Sequence, residues 1–134
     1  MNDSAPVYEM LGHAAVPFDL GRPDVMTMTI ELEPGSAGSG PHRHSGPVFG
    51  YLIEGELIFE LEGESERVIS AGEAFWEPGG DLVHWQAGNN LTDRHTKFLA
   101  VMVCPPGKEM LTYLGAEEIA ERQHLRAPRP AKAA

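Results

Sequence analysis

The sequence predicts an all-β fold, an antiparallel sandwich or barrel built from short strands. Two features of its 134 residues carry that expectation. Apolar and polar side chains alternate with a period of two over several segments, the pattern of strands with one buried and one wet face. The chain also holds 15 Gly and 11 Pro, spaced so that a turn signal follows roughly every eight residues. At 14.6 kDa and 42% hydrophobic residues it has material for one domain with a core, and too little for two.

Taken in order, residues 1–24 form an N-terminal arm with a weak strand pattern over 7–16 and a turn at Gly21-Arg22-Pro23-Asp24. The expected barrel runs over 25–107. It opens with Met26, Met28, Ile30 and Leu32 alternating with Thr27, Thr29, Glu31 and Glu33, a half-buried strand that Pro34-Gly35 ends. The loop over 36–40 lacks bulky side chains, so backbone turns or passes close to something there. Strands over 49–53 and 56–61 meet at Glu54-Gly55 as a hairpin. Glu54, Glu56, Glu60, Glu62, Glu64 and Glu66 fall on its wet face.

A short strand over 67–69, a turn at Gly72 and a strand over 74–77 lead to the tight Pro78-Gly79-Gly80. Another strand carries 83–86, and a polar loop over 89–95 precedes an apolar strand over 97–104 closed by Pro105-Pro106-Gly107. In the C-terminal extension over 108–126, residues 116–123 suit a helix, with acids near the start and Arg122 near the end. Residues 127–134 read as a flexible tail.

Net charge is −10 at pH 7, so nucleic acid and anionic membrane surfaces are unfavourable partners. No apolar run reaches transmembrane length and no secretion signal is visible. The single Cys104 rules out an intramolecular disulfide and fits a reducing compartment. The expected location is therefore the cytoplasm.

His42 and His44 flank one residue, so on an extended strand both imidazoles point to one face and one divalent ion can touch both. Imidazole suits zinc, iron, nickel and manganese, and a site needs at least one further donor. His84 is the candidate. His13, His95 and His124 lie in polar or loop contexts and read as surface residues.

These blocks resemble the cupin family, a small double-sheet jelly-roll barrel with two sequence motifs. The first, G-x5-H-x-H-x3-E-x6-G, is matched by His42, His44 and Gly55, with the leading glycine offset at Gly35 and Val48 in the glutamate slot. The second, G-x5-P-x-G-x2-H-x3-N, is matched by Gly72, Pro78 and Gly80, with His84 and Asn89 each reached after one extra residue. The resemblance covers about residues 25–104. It implies one divalent metal ion (Fe, Mn, Ni or Zn) held by His42, His44 and His84, without the family's carboxylate.

A site of three neutral imidazoles leaves the ion its full double charge and open positions for a chelating guest. The resemblance to three-histidine cupin dioxygenases, one of ligand set only, implies an oxygenase acting on a dicarbonyl or organic acid. A non-oxidative decarboxylase or isomerase and a non-catalytic binding module are the rivals, because the fold licenses a site and not a reaction. Strand parity assigns Gln86 to the inward face beside His84, where its amide is expected to bind a metal-bound water or orient a substrate oxygen. Val48, Leu52, Met26, Met28 and Trp76, with Phe49, Tyr51, Phe75 and Met102, are expected to line an apolar cavity for a small ligand that is partly apolar and anionic. The expected assembly is a homodimer through outer strands.

Overall fold

The computed structural model describes residues 5–128, and strands dominate it. One sheet has the order β1 (Asp24–Leu32), β8 (Thr96–Cys104), β3 (Val48–Glu54) and β6 (Ala74–Glu77). The other runs β5 (Arg67–Ser70), β4 (Glu56–Leu61), β7 (His84–Asn89), β2 (His42–His44) and β9 (Leu111–Tyr113). Every strand pair is antiparallel. A short helix α1 (Ala116–Arg122) and a 3-10 turn (Gln123–Leu125) follow. The all-β jelly roll with one C-terminal helix is thus the observed architecture. Among the described residues no helix is long and apolar enough to cross a membrane.

Alternation explains the core. On β8 every second residue from Thr96 to Cys104 is buried, and Phe98, Ala100 and Met102 meet Val48, Leu52, Leu57, Phe59 and Phe75 between the sheets. Leu52 and Leu57 are fully buried and Phe59 is 1% exposed, each contributing about 2–3 kcal/mol relative to an exposed position. Asn89 braces one end of the barrel. Its amide donates to the carbonyls of Glu33 (3.0 Å) and Arg94 (2.9 Å), and its oxygen accepts from Thr96 Oγ1 (2.7 Å) and Leu91 N (2.9 Å).

Two expectations are corrected here. Residues 7–16 form no strand: the stretch has no ladder partner, so its alternation specifies nothing. Glu60 is not on a wet face, because Arg126 covers it, donating from Nε (2.8 Å) and Nη2 (2.6 Å), so Glu60 is 2% exposed. Glu62 is likewise held by Arg122. The stretch 127–134 lies outside the described residues apart from its first two.

Candidate metal centre

β2 is only three residues long, and its alternation turns His42 and His44 inward while Arg43 faces out. Register then supplies the third imidazole, because His42 sits directly opposite His84 across β2 and β7. The ring centroids of His42 lie 4.9 Å from those of both His44 and His84. All three rings are at most 5% exposed.

The set is not free of carboxylate, which corrects the expectation drawn from Val48. Val48 does face the site, but Glu77 stands directly opposite it across β3 and β6. Cross-strand neighbours share a face with Cβ atoms about 5 Å apart, so a carboxylate on β6 reaches the space that one at position 48 would fill. One donor atom from each of His42, His44, Glu77 and His84 lies within 4.8 Å of every other. Glu77 Oε1 is 2.8 Å from His84 Nδ1 and 3.4 Å from His44 Nε2. The signal was present: alternation over Ala74–Glu77 buries Phe75 and Glu77 together, and a glutamate on the core face of an apolar strand needs a partner.

Electrostatics suit a cation. Burial holds the His42 imidazole down to about 4, with the His84 ring adding to the effect, so His42 is neutral at pH 7. Its Nδ1–H donates to the Gly40 carbonyl at 2.8 Å, which leaves the Nε2 lone pair free. His44 is lowered too, by burial against the opposing pull of Glu77. Burial alone would push the Glu77 carboxyl up, but His84, His44 and His42 outweigh it and hold it below the usual range. His84 Nε2 is buried with no hydrogen-bond partner. A buried orphan lone pair beside a carboxylate and two more imidazoles fits a divalent ion.

Two glycines let the ligand-bearing loops touch. Gly80 N donates to His44 O at 2.8 Å. A Cβ on Gly79, where φ is +76°, would stand 2.2 Å from the Gly46 carbonyl oxygen. Gly79→Ala is expected to cost more than ~2 kcal/mol in chemical denaturation. Gly63→Ala, at a similar positive φ but with open space around it, should cost only about 1 kcal/mol. Equal losses would show that the loop contact contributes nothing.

Above the four donors a cavity of about 60 Å³ is walled by Ile30, Leu32, Val48, Phe98, Ala100 and Met102, with Ser39 and Leu111 among its other lining residues. Among the described residues no Lys or Arg lines it.

The remaining expected pocket residues lie elsewhere. Leu52 is in the core cluster. Phe49, Tyr51 and Trp76 are on the outer face of their sheet, where the Phe49 and Trp76 rings pack 4.5 Å apart, tilted by 49°. Met26 and Met28 share the inner face of β1 with Ile30, but this is an edge strand and they are 37% and 38% exposed. Gln86 is turned outward, donating to Glu60 (2.6 Å) and Glu66. The cause is a register shift, in which Glu60 pairs with Gln86 but Leu61 with His84. The extra residue, Trp85, breaks the parity on which the inward assignment rested.

A family model described as "Cupin domain" matches residues 28–102, more than half of the chain. No curated protein matches the sequence. Among solved structures, an oxalate oxidase in complex with the substrate analogue glycolate is 22% identical with a TM-score of 0.55, covering 70% of this chain and 50% of that one. The chain thus spans half the length of that enzyme. A cupin-like protein from Thermotoga maritima is 17% identical with a TM-score of 0.55, covering 78% of this chain and 75% of that one. The structure of a DMSP lyase study is 16% identical with a TM-score of 0.56, covering 68% and 44%. These likenesses are of fold, and with the family match they establish that the chain belongs to the cupin domain family.

Proposed function

We propose that His42, His44, His84 and Glu77 hold one divalent metal ion and that the chain is a metal-dependent small-molecule enzyme, a dioxygenase acting on a chelating dicarbonyl or organic acid. The observation that carries this reading is the convergence of four buried donors on one small apolar cavity. An ion there supplies Lewis acidity and a place for a guest's oxygen atoms.

The chain's own residues set the rest. A divalent ion with one carboxylate keeps one net positive charge, and among the described residues no Lys or Arg lines the cavity to neutralise a second anionic group. A monoanionic guest balances that charge. About 60 Å³ is far below the ~300–1,000 Å³ of drug-sized sites, so the guest has few non-hydrogen atoms. Ile30, Val48, Phe98 and Met102 exclude water from it. Among the described residues Glu77 is the one carboxylate lining the cavity and is already engaged by two imidazoles, so proton transfer falls to it or to the guest itself.

His44→Ala should leave purified protein without stoichiometric metal in elemental analysis. Metal remaining near one per chain would remove the ligand assignment. With candidate acids and dicarbonyls, oxygen uptake restored by iron(II) and not by zinc supports the oxygenase. Turnover without oxygen uptake assigns a decarboxylase or isomerase instead, and tight binding without turnover assigns a binding module.

A further inference from the structure

We propose that the C-terminal segment, β9 with α1 and the turn after it, is a salt-latched gate through which the ion and its guest enter and leave the metal centre. The inference rests on the metal-binding reading above. It starts from how β2 is held. His42, Arg43 and His44 all pair with β9, opposite Tyr113, Thr112 and Leu111. On the other side, among the described residues, His42 alone pairs with β7, opposite His84, and Gly80 N donates to His44 O. Two of the three imidazoles thus stand on a strand whose ladder is mostly with the C-terminal segment. That segment also reaches the guest's space, because Leu111 lines the cavity above the donors.

The segment is docked from outside the sandwich. No residue of α1 is fully buried, and the helix is seven residues long, too short to persist by itself. Beneath it Leu114 and Ile119 meet Val83 and Trp85 in a small apolar cluster separate from the main core. Arginines supply the other attachments. Arg43 faces outward between the two ligand histidines and donates to both carboxylate oxygens of Glu118 on α1, at 3.1 and 2.5 Å. Arg122 on α1 donates in turn to Glu62 and to Asp81 (3.2 Å), and Arg126 lies 4.8 Å over the Trp85 ring.

The Glu118 and Asp81 side chains are 40% and 82% exposed, and ion pairs so placed are modest and weaken with salt. Release of the segment takes Leu111 off the cavity and frees one side of β2, while Leu52, Leu57 and Phe59 stay packed in the core. Local openings of this kind cost less than global unfolding. An ion bound by β2, β6 and β7 together favours the closed form, because closure completes the strand that carries two of its ligands.

Zinc exchange and amide hydrogen exchange on the full chain test this. Glu118→Gln and Arg122→Gln each loosen one latch without touching a metal donor. Each should speed both uptake and release of zinc by about threefold, and the double variant by about tenfold, with equilibrium affinity within about twofold of wild type. Hydrogen exchange at Leu114, whose N–H donates to the Pro41 carbonyl at 3.0 Å, should quicken by the same factors while that of β8 is unchanged. Salt at about 1 M should quicken the wild type as the double variant does. Glu117→Gln, at an exposed position of the same helix, should alter none of these rates. A wild type that binds zinc but exchanges it no more slowly than the double variant overturns the gate and leaves the metal reading standing. Weakened affinity with unchanged uptake in the double variant also overturns it, making the segment a support for the ligands alone. A wild type that takes up no zinc overturns the metal reading itself, and the gate with it.

Discussion

Glu77→Gln should weaken metal binding by at least ~100-fold while the fold persists. Glu77 is 4% exposed, and Oε1 reaches both His84 and His44. The amide keeps the volume and removes the only negative charge among the four donors. An ion held by three imidazoles and a neutral oxygen then loses its one charge-neutralising contact in a medium that screens poorly. Competition against a chromophoric chelator measures the loss. An affinity within threefold of wild type would remove Glu77 from the ligand set and return the centre to three imidazoles.

Acid should unfold the metal-free protein well before ordinary acid denaturation. In the unfolded chain His42 titrates near 6.5, but in the fold burial and the His84 ring hold it to about 4. Between those values the unfolded chain carries a proton that the folded chain does not. Stability is therefore complete above 6.5 and declines as pH falls toward 4. The gap corresponds to about 3 kcal/mol, and His44, displaced in the same direction, adds to it. Glu77, held below the usual range, extends the loss further into acid. Urea midpoints of metal-free protein near pH 7.5 and pH 4.5 should differ by more than ~1 M. Coincident midpoints would mean that the imidazoles are not buried in solution.

What could be read from the chain follows what is local. The meeting of His42 and His44 depends on strand parity over three residues, and the barrel on periodicity and turn residues. Alternation put Glu77 on the core face of its strand, but its meeting with Val48 is a register between strands, which no motif spacing encodes. Gln86 was misplaced by one extra residue at Trp85, a bulge with no compositional mark. Trp76 and Tyr51 were misplaced as cavity wall, although counting alternation outward from Glu77 and Val48 puts both on the far face. Glu60 needed knowledge of Arg126, 66 residues away.

The placement of the two indoles, finally, makes the protein its own optical instrument. Trp85 is 3% exposed beneath the Arg126 guanidinium, 4.8 Å from it, so its emission follows whether the C-terminal segment stays attached. Trp76 lies against Phe49 on the opposite sheet and follows what settles on that face. Replacing either one by Phe leaves a fluorophore that answers a single question, without any label being introduced.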